Sequence, residues 1–156
     1  MVDIFSREKR SEIMRKIGRN DTPKEMMVRK FLFQNGFRFR KNYKILPGSP
    51  DIVLPKYNIV IFVHGCFWHG HNCKAGRLPK SNLAFWGEKI RQNKNRDRRK
   101  NYQLKKMGWK ILHIWQCSLS DELTTKNRFT KLLKQIKEAD QIHTQFYKRK
   151  GLPHIN

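Results

Sequence analysis

Asp51-Ile52-Val53-Leu54-Pro55-Lys56-Tyr57-Asn58-Ile59-Val60-Ile61-Phe62-Val63-His64 consists of two apolar, largely β-branched runs separated by a polar reversal. Runs of this composition bounded by Pro and Asn predict two strands joined by a short turn. Symmetric pairing about the reversal sets Leu54 opposite Ile59 and Asp51 opposite Phe62; a slip of one residue would turn every side chain to the other face. In that register His64 lies diagonally across from Asp51 on one face of the sheet. A diagonal of about 7–8 Å exceeds a hydrogen bond but suits a shared ion with its water shell.

The second run leads directly into His64-Gly65-Cys66-Phe67-Trp68-His69-Gly70-His71-Asn72-Cys73, which gathers three of the six histidines and two of the three cysteines. Cys66, His71 and Cys73 have the side chains and close spacing of a zinc-binding loop, and Cys117 supplies a fourth tetrahedral ligand from a later element. Unused thiols so close together would be an oxidation hazard, which favours a structural Zn²⁺. His64 and His69 are left over beside the cluster. His113, His143 and His154 read as hydrogen-bonded or surface histidines.

Working outward, Thr22-Pro23-Lys24-Glu25 opens a helix, with Thr22 at the cap, Pro23 in the first turn and Glu25 placed to close a capping box. Met26, Met27, Phe31, Leu32 and Phe33 suggest its buried side, and Asn35-Gly36 ends it. Phe37-Arg38-Phe39-Arg40 alternates like an edge strand. Residues 81–107 predict a long basic helix ended by Gly108, residues 109–115 a further strand delivering Cys117, and residues 121–139 an amphipathic helix with Leu132, Leu133 and Ile136 inward. Residues 6–17 predict a basic first helix whose thin apolar edge carries Met14 and Ile17; it is either a nucleic-acid-binding arm or a solvated terminus. Helix, strands, helix, strand, helix predicts an α/β fold, a mixed sheet covered by helices.

Thirty-five Lys and Arg against twelve Asp and Glu give a formal +23 over 156 residues, a length suited to one domain. Self-repulsion of that size calls for a polyanionic partner, and nucleic acid is the obvious one. No continuous apolar span, signal-peptide core or long basic amphipathic segment points to a membrane. Metal-like cysteine spacing suits a reducing compartment, so a cytoplasmic, nucleoid-associated protein is expected.

A carboxylate opening a buried strand, beside a strand-end carbonyl and histidines, is the kind of oxygen-rich site that holds Mg²⁺. Asp51 is the first ligand and the Val63 backbone carbonyl a second. His69 and His64 suit a general base or a water-holding role, since an imidazole titrates near ~6.5. Glu25 serves the capping box, a metal-bound water, or both. Asp97, the isolated acid in Arg96-Asp97-Arg98-Arg99-Lys100, reads first as an offset to local repulsion and second as an orienter of a histidine. Phe67, Trp68 and Trp86 read equally as core rings or as wedges that unstack base pairs at a few kcal/mol per step.

Pro50-Asp51, Phe62-Val63-His64-Gly65-Cys66-Phe67-Trp68-His69, His71-Asn72-Cys73, Phe85-Trp86, Glu88-Lys89-Ile90, Asn93, Arg96-Asp97-Arg98-Arg99, Gly108-Trp109 and Cys117 together resemble the very-short-patch repair (Vsr) DNA mismatch endonucleases. The resemblance spans residues 10–119. It implies a restriction-endonuclease-like fold that nicks DNA 5′ to the T of a T:G mismatch left by deaminated 5-methylcytosine, using catalytic Mg²⁺ and structural Zn²⁺. It also implies Asp51 as metal ligand, His69 as general base, Glu25 and His64 as water-holding partners, and Cys66, His71, Cys73 and Cys117 on zinc. Phe67, Trp68 and Trp86 would enter the base stack from one groove and the Met14 helix, with Ile17, the other, while Lys89 and Asn93 help read the mismatch. Restriction-like sites usually follow their Asp with an acid and a lysine; here Phe62 and His64 stand in those places, and Val63 has no hydroxyl to offer.

The expected organisation is a basic DNA-binding arm over residues 1–20, an endonuclease domain over 21–139 and a polar tail over 140–156. A monomer acting on mismatched duplex DNA, linked in function to a cytosine-5 DNA methyltransferase and mismatch repair proteins, is the leading expectation. Two rivals stand beside it: a non-catalytic, zinc-stabilised nucleic-acid-binding protein, and a nuclease with a restriction or junction substrate.

Overall fold

The structure is a computed structural model and describes Lys9, Glu12 and residues 21–150, with side chains through Gln141 and at Gln145. Met14 and Ile17 lie outside the described residues. The predicted strand pair forms in the expected register. β2 (Ile52–Leu54) runs antiparallel to β3 (Ile59–His64), with Leu54 opposite Ile59, Val53 opposite Val60 and Ile52 opposite Ile61. A single 3₁₀ turn, Pro55–Tyr57, makes the reversal, and Asn58 closes it at φ 50°, a left-handed conformation that Asn tolerates.

β1 is shorter than the sequence suggests. Arg40–Lys41 alone pair with β2; Phe37 and Phe39 alternate with exposed Arg38 and Arg40 as expected and pack on the core, but residues 37–39 lie outside the ladder. β4 (Lys110–Trp115) lies parallel to β3 on the other side, so the sheet is mixed, in the order β1-β2-β3-β4. A parallel neighbour requires a crossover, and α2 (Leu83–Lys106) provides it.

Alternation splits the sheet's side chains between two cores. Ile52, Leu54, Ile59 and Ile61 face α1 (Pro23–Gln34) and α3 (Glu122–Lys150), where Leu32, Leu132 and Ile136 are fully buried. Val53, Val60 and Phe62 face the other way, against Leu104 of α2. The architecture is the expected α/β mixed sheet flanked by helices. Among the described residues no helix is long and apolar enough to cross a membrane.

Two expectations about helices need correction. The buried side of α1 is Glu25, Val28, Arg29 and Leu32, whereas Met26 and Phe33 are 52% and 63% exposed. Spacing of i, i+3, i+4, i+7 defines the inward stripe, and a Glu–Arg pair occupies two of its four places; of the expected residues Leu32 is fully buried and Phe31 packs on the core, while hydrophobicity alone misplaced Met26, Met27 and Phe33. α3 continues to Lys150, past its expected end near Ala139. No Gly or Pro occurs until Gly151, so nothing terminates the hydrogen-bond ladder.

Urea titration discriminates the two faces of α1. Leu32→Ala is expected to lower unfolding free energy by about 2–5 kcal/mol and Phe33→Ala by less than about 0.5 kcal/mol. Equal losses would refute the assigned inward stripe.

Candidate active site and metal centre

Asp51 directly precedes β2, and its carboxylate accepts the backbone N–H of Val63 on β3 at 2.7 Å. That bond extends the strand pairing by one side chain and puts the carboxylate on the α2 face of the sheet. Burial pushes the Asp51 carboxyl up to about 6; the Val63 hydrogen bond opposes this, the nearby Glu25 charge adds to it, and Arg29 and His69 oppose it. Glu25 and Arg29 approach from α1. Glu25 accepts the Thr22 hydroxyl at 2.9 Å and the Asp21 N–H at 3.0 Å, while Thr22 Oγ1 accepts the Glu25 N–H at 3.3 Å, so the capping box forms with its backbone partner one residue further out.

Arg29, absent from the expected site residues, ties this corner together. Its guanidinium donates to Glu25 at 3.1 Å, to Asn42 Oδ1 at 3.1 Å, to the Asp51 carbonyl at 3.2 Å and to the Asp21 carboxylate. The i, i+4 spacing of Glu25 and Arg29 was a visible signal of the pair. Its burial was not, because the Asn42 and Asp51 contacts cross to other elements.

His64 ends β3 on the Asp51 face and is 8% exposed. Its ring lies flat on His69, centroids 3.7 Å apart and planes within 3°. Burial, with His69 and His113 nearby, pushes His64 down to about 3 against the pull of Asp97, so it is a neutral imidazole at pH 7. His69 Nδ1 lies 2.6 Å from Asp97 Oδ2 of α2. Burial works against the Asp97 anion, but the His69 hydrogen bond and nearby positive charge outweigh it and leave its carboxyl below the usual range. An ionised carboxylate only accepts, so Nδ1 carries a proton, and in the neutral ring the free lone pair is on Nε2. Asp97 therefore orients a histidine, the reading the sequence favoured less. Twenty-eight residues separate the pair, beyond any local pattern. His113 is hydrogen-bonded as expected, its Nε2 3.3 Å from Asn101 Nδ2.

Cys66, His71, Cys73 and Cys117 converge, one ligand atom from each lying within 4.8 Å of the others. Ligands about 2.3 Å from a tetrahedral metal are roughly 3.8 Å apart, so the four fit around one ion after slight closure. A hydrogen bond from His71 holds the Cys73 thiol down to about 7, whereas burial and the neighbouring Cys66 and Cys73 push Cys117 up to about 12. Crowded thiols that resist joint ionisation are what a dication relieves. Trp115 of β4 backs His71, rings stacked at 4.2 Å. Gly70, at φ 58°, brings the loop onto α2; a Cβ there would overlap Ile90 and the Lys94 stem.

The loop carries aromatic rings to the surface. Phe67 meets Trp68 at 5.0 Å and Trp86 at 5.2 Å, and Phe85 meets Trp86 at 5.1 Å, all edge to face. Trp68 is 38% exposed and Phe85 53%, so the group is a surface cluster and not a core. Lys89 is exposed on α2. Asn93 is buried and donates to the Trp68 carbonyl at 2.9 Å, which fixes the loop to the helix.

Residues 2–75 match the family described as DNA mismatch endonuclease Vsr. The type II nicking enzyme V.NmeAIP of Neisseria meningitidis serogroup A is 49% identical over 139 residues, 89% of this chain and 99% of that protein. The type II nicking enzyme V.XorIIP of Xanthomonas oryzae pv. oryzae is 49% identical over 121 residues, 78% of this chain and 89% of that protein. The DNA mismatch endonuclease Vsr of Escherichia coli K12 is 42% identical over 119 residues, 76% of each chain. Similarity of that degree over three quarters or more of the sequence, on a mixed sheet that joins Asp51, two stacked imidazoles and a Cys₃His cage, shows that the chain belongs to the Vsr DNA mismatch endonuclease family.

Proposed function

We propose that this Vsr-family DNA-nicking endonuclease recognises T:G mismatches in duplex DNA and hydrolyses the phosphodiester 5′ to the mispaired T. The observation that carries the reading is the pairing of a half-buried Asp51 carboxylate with a His69 whose Nδ1 is held by Asp97, on one face of one sheet. A carboxyl held near 6 by burial and a histidine with a fixed tautomer are reactive-site features with no structural need.

Asp51 and the Val63 carbonyl would hold Mg²⁺, which when bound polarises the scissile phosphate and stabilises the leaving oxygen. The Val63 N–H already points at Asp51, and within a strand the N–H and C=O of one residue open toward the same edge. His69 Nε2 takes the proton of the attacking water, and Asp97 stabilises the imidazolium that results. His64, neutral and largely enclosed, holds a water beside it. Three of the roughly four lone-pair sites of the Glu25 carboxylate are occupied, which leaves one for a water.

Zn²⁺ suits the Cys₃His cage, whose task is to hold the loop that presents Phe67 and Trp68 beside Trp86 as wedges into the base stack. Lys89 meets the mismatched pair from α2, and Asn93 supports it by fixing the Trp68 backbone. The excess of cations supplies phosphate contacts, each adding roughly 0.9 to the log–log salt slope.

Matched, T:G, U:G and branched duplexes, with Mg²⁺ supplied or omitted, test the reading: only T:G duplex should be nicked efficiently, on the T strand, with Mg²⁺ present. His69→Gln should slow nicking about 10²–10⁴-fold with DNA affinity intact; equal cutting of matched duplex would refute the specificity. Metal analysis should find one zinc per chain, with Cys66→Ser losing it and melting lower.

Asp51→Asn should abolish nicking yet unfold at higher temperature when Mg²⁺ is absent, because the folded protein no longer buries a charge. Between pH 3.8 and about 6 the native Asp51 keeps a proton that the unfolded chain has released, so wild-type stability falls as pH rises through that window. The advantage of the variant should therefore grow across it, to the order of 1–3 kcal/mol at neutral pH. A variant less stable than wild type at pH 7 would contradict the burial of that charge.

A further inference from the structure

His64 is held by rings. It stacks on His69, and its other ring neighbours include His113 at 4.7 Å, tilted by 48°, and Phe62 at 5.6 Å. Among the described residues its own ring makes no side-chain hydrogen bond, so its orientation depends on the rings beside it. The two outer imidazoles of this row, His69 and His113, are gripped by one helix. Asp97 binds His69 and Asn101 binds His113, and the two grips stand four residues apart on one face of α2. The row therefore runs Asp97, His69, His64, His113, Asn101, hydrogen-bonded at its ends, with His64 stacked on His69 and tilted against His113 in between.

His113 is unfavourable where it stands. Its Nδ1 is buried with no partner among the described residues, and its ring lies nearly parallel to Phe62 at 5.7 Å, surroundings an apolar side chain would satisfy better. A buried polar atom left unpaired destabilises the fold and calls for a reason. Packing does not supply one, since β4 pairs with β3 through its backbone, with His113 opposite Phe62. Orientation does. The nitrogen bound to Asn101 fixes the plane of the His113 ring, and that plane sets the tilt against which His64 rests.

We infer that His113, oriented by Asn101, is a positioning residue for the nicking reaction, fixing the plane in which His64 presents its ring nitrogens at the active site. The inference rests on the reading of His64 as an active-site group. Misplacing a reacting group by about an ångström slows catalysis by up to about a hundredfold. His113 touches neither DNA nor metal in this scheme, so binding is unaffected.

The test uses His113→Phe, which keeps an aromatic ring but removes both nitrogens, and Asn101→Leu, which keeps all three imidazoles but releases the outer one. Single-turnover nicking of T:G duplex should slow between about tenfold and a hundredfold in each, with duplex affinity within about twofold of wild type. The melting temperature of His113→Phe should stay level or rise, the reverse of what loss of a packing residue gives. In a His64→Ala background neither substitution should slow nicking further. Nicking by His113→Phe at the wild-type rate, or an equal slowing with His64 already removed, would overturn the inference.

Ring ¹³C–¹H signals of His64 in the free protein report orientation without DNA: sharp in wild type, broadened in Asn101→Leu. Unchanged signals overturn the inference whatever the nicking assay shows. Full nicking by His64→Ala together with broadened His64 signals in Asn101→Leu would sink the reading of His64 while leaving the positioning by His113 in place.

Discussion

The hydrogen bond from the Val63 N–H to the Asp51 carboxylate is the constraint on which the site depends. β2 is only three residues long, and pairing so brief specifies register weakly by backbone bonds alone. Two devices strengthen it: the 3₁₀ reversal that sets Leu54 opposite Ile59, and the side-chain bond from Asp51 at the far end. A one-residue slip would turn Asp51 toward Leu132 and Ile136 and away from the imidazoles. The same bond keeps a carboxylate in a place where burial opposes its charge.

α2 organises what the sheet alone leaves loose. It crosses from β3 to β4 and packs Leu104 and Ile90 inward, while its polar side grips the site at successive turns. Asn93 holds the Trp68 carbonyl, Asp97 holds His69 and Asn101 holds His113. A rigid helix fixes such groups more closely than a loop does. The Cys/His loop, free of strand pairing, converges on one side in its Cys₃His cluster and is held on the other against this helix.

Local unfavourable features gather on the α2 face of the sheet. Burial drives the Asp51 carboxyl up and His64 and His113 down, His113 keeps an unpaired nitrogen, and aromatic rings stand exposed on the loop. The same face carries the smaller core of Val53, Val60, Phe62 and Leu104, while the larger core, rich in Ile, Leu and Val, lies on the α1 and α3 face. The larger core on the α1 and α3 face, with the smaller one against α2, offsets the candidate-site groups that burial destabilises.

Much was legible from residues close together in the chain. Two β-branched runs about a Pro-Asn reversal determined the register that puts Asp51 and His64 on one face. Thr22-Pro23-Lys24-Glu25 determined where α1 begins, and the spacing of Cys66, His71 and Cys73 with Cys117 determined the cage. Turn chemistry, capping and ligand spacing act over a few residues, so their rules can be read along the chain. The rest was decided by tertiary structure. Arg29 turned inward because Glu25, Asn42 and the Asp51 carbonyl meet it there, leaving Met26 and Phe33 outside. Asp97 reached His69, and Asn101 reached His113, only because α2 lies across the sheet. Apart from Glu25 with Arg29, those contacts join residues 12 or more apart, and their strength depends on burial, which no local pattern encodes.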